Sequence, residues 1–360
     1  MTAFTPIKTG SASATRRLRV LVVDDSVVVR TVIERILNAH PRFAVVHKTN
    51  SAEQALAYLE AQAVDLVLLD IELPGQSGLA ALPAILRAGR RARVVILSGS
   101  CDAGSAPAME ALALGAGDIV SKPGSGSFGD RFPQHLIERL SRLFAIGAPA
   151  RPAVPSPLRP APDDQGHALE CLGVGASTGG IHALGQLFRG LETPLGVPIL
   201  LTQHLPASFT VYFAQQLARM TPLAVKVAES GDILTADTVH IAPGDAHLVC
   251  RRGLNGRVTV TLDPRPTPAG NLPGVDPMFA AMARVYGAGA AGVVLTGMGR
   301  DGTAGARDIV AAGGWIVAQD EASSVVWGMP GSVAGAGLSC ALLPPVAIMD
   351  FVARRGGVCA

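Results

Sequence analysis

At 360 residues, 49% of them hydrophobic and 16% charged, with a formal net charge of +2, the chain is long for one core, and two domains are expected. The near-neutral balance gives no argument for a nucleic-acid surface, and no apolar run reaches the ~18 residues a membrane helix needs, so no membrane insertion is expected. Five widely spaced cysteines (Cys101, Cys171, Cys250, Cys340 and Cys359) without a C-x-x-C pair indicate neither a disulfide scaffold nor a zinc knuckle. A polar start without an apolar signal core reads as a loose tail over residues 1–17 of a cytoplasmic protein.

Along the first half, short apolar runs predict strands at Arg19–Val23, Asp65–Leu69, Arg93–Leu97 and Gly117–Ser121. Helical patterns fall between them, for example Val27–Asn38 and Ala52–Ala61. A glycine-rich patch follows at Gly124–Gly129. Ala148–Gly166 then carries six prolines, which forbid regular helix and favour extended backbone, so this stretch is the expected linker between domains at 18–147 and 167–360. In the second half strands are predicted at Leu169–Gly175, Val197–Thr202, Thr238–Ala242, Ala291–Thr296 and Gly314–Ala318, with a helix-like segment over Thr178–Arg189. Alternation of helices with continuously apolar strands means parallel sheets covered on both faces, in which ligands sit at the carboxyl ends of strands. The residues just past each strand are therefore where chemistry is to be sought.

In the first half those positions hold Asp24 and Asp25, Asp70, Ser98 and Lys122. Clustered carboxylates repel unless a cation joins them. Hard oxygen ligands suit Mg²⁺, which also accepts phosphate oxygens, and Lys122 can neutralise a phosphate added at Asp70. The stretches V-L-V-V-D-D-S, L-V-L-L-D-I-E-L-P, V-V-I-L-S-G and D-I-V-S-K-P resemble a response-regulator receiver domain over about Arg19 to Phe144. The resemblance implies phosphorylation of Asp70 by a histidine kinase. It implies Mg²⁺ held by Asp25, Asp70 and the Glu72 backbone carbonyl with help from Asp24, and a phosphoryl group contacted by Ser98 and Lys122. Gln76-Ser77 stands where many members have Met-Asp, with Gly78 kept, and Ile119 stands where an aromatic switch residue is common.

In the second half, C-L-G-V-G-A-S-T-G-G (Cys171–Gly180) fits two mechanisms. Gly173-x-Gly175 suits a dinucleotide loop, whereas Gly175-Ala-Ser177-Thr-Gly179 suits a turn that presents a serine nucleophile. A dinucleotide site needs a carboxylate about 20 residues on, to hold ribose hydroxyls. The next strand ends instead in Gln203-His204, and Glu192 lies before it, at the wrong end. Ser177 follows a strand and precedes a helix, so its hydroxyl sits in a positive field but still needs a base.

Of the candidate bases His204 lies at a strand end. His182 is roughly 7.5 Å further along the helix axis, His240 lies within a strand, and His247 follows a turn. For the orienting acid, position leaves both Asp301 and Asp320 open, while Asp263 and Asp276 sit beside prolines and read as turn residues. The order Ser…His…Asp differs from that of the α/β-hydrolases.

G-A-S-T-G-G, T-Q-H-L-P, I-A-P-G-D-A-H, V-D-P-M-F, L-T-G-M-G-R-D-G and D-E-A-S-S-V-V-W-G-M-P resemble the catalytic domain of the chemotaxis protein-glutamate methylesterases, over about His167 to Pro345. The resemblance implies two doubly wound α/β domains, a flavodoxin-like receiver and a Rossmann-like serine esterase. It places a triad on Ser177, His204 and Asp301, with backbone oxyanion donors at Thr178 and Met298 and no cofactor in the catalytic domain. Implied partners are a sensor histidine kinase and methyl-accepting chemoreceptors, the latter as substrates for ester hydrolysis and glutamine deamidation. The alternative is a response regulator whose output domain binds protein without catalysis.

Overall fold

The computed structural model describes residues 16–99, 106–122, 131–144, 158, 168–191, 193–267 and 270–356. Residues 1–15 of the expected tail, the Gly124–Gly129 patch, the proline-rich stretch apart from Leu158, and Cys101 and Cys359 lie outside the described residues.

The first unit runs β1 (Leu18–Val23), α1 (Val27–Ala39), β2 (Phe43–Thr49), α2 (Ala52–Ala61), β3 (Leu66–Asp70), α3 (Gly78–Gly89), β4 (Arg93–Ser98), α4 (Ala106–Leu114), β5 (Asp118–Ser121) and α5 (Arg131–Leu143). Its five strands form a parallel sheet in the order β2-β1-β3-β4-β5, the flavodoxin-like order. Ser26, Ser51 and Ser77 start α1, α2 and α3 by accepting the N–H groups of Val29, Gln54 and Ala80.

The second unit runs β6 (Cys171–Ala176), α6 (Gly180–Arg189), β7 (Ile199–Gln203), α7 (Ala207–Ala218), β8 (Ala224–Val227), β9 (Thr238–Ile241), β10 (His247–Arg252), β11 (Val258–Asp263), α8 (Val275–Tyr286), β12 (Ala290–Val294), α9 (Thr303–Ala311), β13 (Trp315–Gln319), α10 (Met329–Gly335), β14 (Ser339–Leu343) and α11 (Pro345–Arg355). Seven strands make a parallel sheet ordered β14-β13-β12-β6-β7-β9-β8, and β10 and β11 form an antiparallel hairpin that packs on α8. Chain order reverses between β6 and β12. That switch point opens a crevice at the carboxyl ends of the strands.

The two-domain parallel α/β class expected from the sequence is the class observed. The anticipated strands are the inner strands of both sheets and the edge strand β5, with ends shifted by a residue or two. Five others were not anticipated: β2, β8, β10, β11 and β14. They are edge or hairpin strands with exposed or half-exposed residues, so they lack the continuous burial of the inner strands. The helix expected from Thr178 begins at Gly180, because Gly179 adopts a left-handed φ of 76° as its N-cap.

The units are in contact. From the first, α4 packs across α6 and α7. The Ala113 carbonyl at the end of α4 meets His182 Nδ1 at 2.9 Å, and Gln186 Nε2 meets His182 Nε2 at 2.9 Å. Met298, Val325 and Val326 of the second unit join the apolar cluster of Val120, Leu136, Leu140 and Leu143 of the first.

Candidate functional site

Two sites lie at strand ends, one in each unit. In the first, Asp24, Asp25 and Asp70 each present a carboxylate oxygen, all within 4.8 Å of one another. Lys122 Nζ lies 2.7 Å from Asp24 Oδ2 and 2.7 Å from Asp70 Oδ2, so two buried anions share one cation. Burial, reinforced by the Asp24 charge, raises the Asp70 carboxyl above its ordinary value against the pull of Lys122. Burial works against the Lys122 ammonium, but its hydrogen bonds to Asp24 and Asp70 hold its pKa above the ordinary value.

Ser98 is buried beside them, its carbonyl accepting Lys122 N–H at 2.7 Å, and Glu72 donates its N–H to Asp70 Oδ1 at 3.2 Å. A Cβ on Gly78 would lie 1.8 Å from the Asp70 carbonyl oxygen, so the backbone approach there requires glycine whatever fills positions 76 and 77. Ile119 is buried in β5.

The second site is built on three adjacent strands. β12, β6 and β7 lie side by side, and Met298, Ser177 and His204 stand in the segments that follow them. Ser177 ties its N–H to the Thr296 carbonyl at 3.0 Å, and His204 ties its N–H to the Ala176 carbonyl at 3.1 Å. Both side chains line one cleft of about 730 Å³ with Thr178, Gln203, Phe209 and Met298. The first unit closes the other wall with Leu112, Asp118, Ile119 and Arg139, the last two charges paired at 2.9 Å.

His204 Nε2 lies 2.7 Å from Asp301 Oδ2. Asp301, 6% exposed, also accepts the N–H groups of Val275 at 2.7 Å, Asp276 at 3.0 Å and Gly302 at 3.0 Å. Burial opposes its charge, yet the His204 hydrogen bond and charge, with the Val275 and Asp276 N–H groups, outweigh burial and hold its carboxyl below the ordinary value.

Asp276 is not the turn residue the sequence suggested. It stands in the first turn of α8 beside Asp301 and accepts Gly305 N–H at 2.8 Å. Burial first, then the Asp301 charge, push it up to about 6. Of two neighbouring carboxylates, the one with more donors ionises first as pH rises.

The other candidates are engaged elsewhere. Asp320 accepts Ser323 N–H at 2.9 Å within its own turn, and Asp263 pairs with Arg265 at 2.7 Å. His247 Nδ1 accepts Gly274 N–H at 2.8 Å, and its Nε2 donates to the Arg265 carbonyl at 2.8 Å. His240 is buried, its ring nitrogens have no hydrogen-bond partner among the described residues, and burial lowers its pKa.

The two readings of Cys171–Gly180 part on packing. A Cβ on Gly173 would meet Met282 Sδ at 2.6 Å, and one on Gly175 would meet Val275 Cγ1 at 2.5 Å. These glycines let α8 lie close on β6, so they face a helix of the same unit rather than a pyrophosphate. Gln203, at the end of β7, also lines the cleft; a neutral amide at a strand end carries no chemical signature in the sequence beyond its position.

A family model described as CheB methylesterase matches residues 172–352, and one described as response regulator receiver domain matches residues 20–127. A Caulobacter vibrioides protein named protein-glutamate methylesterase/protein-glutamine glutaminase 2 is 41% identical over 343 residues, covering 94% of this chain and 99% of that protein. A Paramagnetospirillum magneticum protein, the corresponding enzyme 1, is 36% identical, covering 95% of this chain and 98% of its own. The crystal structure of the Thermotoga maritima CheB methylesterase catalytic domain superposes with a TM-score of 0.50 at 35% identity, covering 52% of this chain and 98% of that domain.

Proposed function

The chain belongs to the CheB methylesterase family, and on that premise we propose that it hydrolyses glutamate methyl esters on chemoreceptors, and deamidates receptor glutamines by the same route, under control of phosphorylation at Asp70. The observation that carries the reading is the 2.7 Å contact of His204 Nε2 with Asp301, made in the cleft that Ser177 also lines.

With Nε2 engaged by Asp301, Nδ1 is the nitrogen left to take a proton, the reverse of the usual serine-protease assignment. His204 Nδ1 accepts the Ser177 hydroxyl proton as Oγ attacks the ester carbonyl. The carbonyl π electrons move to oxygen, and the N–H groups of Thr178 and Met298, which have no hydrogen-bond partner among the described residues, stabilise that charge. The carbon–methoxy bond breaks, and His204 gives its proton to the departing methoxide, which leaves as methanol. Water, deprotonated by His204, releases the carboxylate and restores Ser177. With glutamine the leaving group is ammonia.

In the receiver the donor set is all hard oxygen, three carboxylates within 4.8 Å, and suits Mg²⁺. Asp24, Asp25 and Asp70 would hold the ion with the Glu72 carbonyl, and the ion would offset charge on an incoming phosphoryl group. Ser98 and Lys122 stand at the adjoining strand ends to contact that group. A sensor histidine kinase is the expected donor. Receiver residues Leu112, Ile119 and Arg139 wall the same cleft as Ser177, which supports control by occlusion: the receiver restricts access until Asp70 is phosphorylated.

A non-catalytic output domain is not favoured, because such a domain has no need of a charged carboxylate buried against a histidine beside a cleft serine. The test is methanol release from methylated receptor, with and without a small phosphodonor. Wild type should turn over faster with the donor, whereas Ser177→Ala and Asp301→Asn should lose roughly 10³-fold or more. Ser177→Ala should still accept phosphate at Asp70. Substantial turnover by Ser177→Ala would remove the serine mechanism.

A further inference from the structure

Each of the two N–H groups assigned to the oxyanion belongs to a peptide plane whose carbonyl is held by a pair of donors. The Ser177 carbonyl accepts Gly180 N–H at 2.8 Å and Gln203 Nε2 at 2.9 Å. The Gly297 carbonyl accepts Gly328 N–H at 3.1 Å and Met329 N–H at 2.8 Å. In a trans peptide the C=O and the following N–H point in opposite directions. Clamping Ser177 O therefore aims Thr178 N–H, and clamping Gly297 O aims Met298 N–H. Donors fixed before the reaction cost no reorganisation when charge develops.

Gln203 supplies the one side chain among these four clamping donors. It is 4% exposed, closes β7 and pairs in register with Ala176, the residue before Ser177. The amide is seated tightly: a Cβ on Gly180 would lie 2.2 Å from Gln203 Oε1, so glycine at 180 admits it. Its nitrogen faces Ser177 O because a carbonyl needs a donor. The next residue is His204.

Resting on the esterase reading above, we infer that Gln203 is a positioning residue for the oxyanion site, holding the Ser177–Thr178 peptide so that Thr178 N–H meets the developing oxyanion. It lines the same cleft, and it acts through that peptide rather than on the reacting atoms. Removing its N–H leaves Ser177 O with the Gly180 bond alone, and the peptide is then free to tilt. Ground-state binding is untouched, since the charge that Thr178 N–H meets exists only in the transition state.

The test uses full-length protein with a small phosphodonor and methylated receptor. Gln203→Met keeps the side chain's length without a donor. It should lower kcat about 10- to 100-fold, short of the loss on deleting an oxyanion donor outright, with KM within about twofold. The affinity for a glutamyl trifluoromethyl ketone, whose adduct with Ser177 carries an oxyanion, should weaken by the same factor as kcat/KM. Gln203→Leu, uncharged and without a donor, should show the same split and serves if the methionine variant loses its cooperative melt. A kcat within twofold of wild type in a folded variant overturns the inference, as does a loss confined to KM with ketone affinity unchanged. Ser177→Ala, run alongside, must be inactive; if it turns over, the esterase reading fails, and that failure is told apart from a failure of Gln203 alone.

Discussion

At the scale of single residues, the acidic pair behind His204 divides its roles by environment. Asp301 has four donors and stays charged; Asp276, half-buried beside it, is pushed up to about 6. The two respond to pH in opposite senses. Asp301, held below its ordinary value, contributes stability above the unfolded-state pKa, and that contribution is lost as pH falls through its depressed value. Asp276 keeps its proton in the folded protein between 3.8 and about 6, so ionising it costs stability as pH rises through that window. Asp276→Asn removes the second effect. The difference in Tm, variant minus wild type, is expected to climb between pH 4 and pH 7. A flat difference would show that Asp276 ionises as freely folded as unfolded.

At the scale of elements, the serine turn depends on how closely α8 lies on β6. Val275, at the start of α8, gives its N–H to Asp301 and its side chain to the space over Gly175. One contact thus sets both the strand that presents Ser177 and the helix end that orients the acid. Gly175→Ala puts a Cβ 2.5 Å from Val275 Cγ1, and the helix must retreat. The expected cost is about 1–3 kcal/mol, the range for overpacking a filled core, read as a lower denaturation midpoint. Turnover should fall beyond what the stability loss explains, because Val275 N–H moves away from Asp301. Wild-type stability would mean that the helix yields freely. Packing of this kind is hard to read in sequence: Gly173-x-Gly175 looks alike whether a pyrophosphate or a valine comes close to it. β14 and β2 escaped for a related reason: they are half-exposed, and their apolar runs, Cys340–Leu343 and Phe43–Val46, are only four residues long.

At the scale of the molecule, the cleft is shared. Ala113 and His182 make a hydrogen bond between the units at 2.9 Å, and Asp118 and Arg139 sit on the wall facing Ser177. A bond of this kind is worth about 1 kcal/mol net. His182→Ala should therefore raise unphosphorylated methanol release by up to about fivefold, with the phosphodonor-activated rate unchanged. If the basal rate does not move, this contact does not hold the units together. The amino-acid sequence by itself determined the two parallel α/β units and which side chains follow their strands, because burial on both faces writes a central strand as an apolar run and leaves its chemistry at the end. Strand position left Asp301 and Asp320 open and the resemblance pointed to Asp301, but only the tertiary structure brings His204 to it, lets a glutamine clamp the serine turn, and makes the receiver a wall of the cleft. Those facts depend on strand order and on the contact between units, which bring together residues far apart in the chain and leave no periodic trace in it.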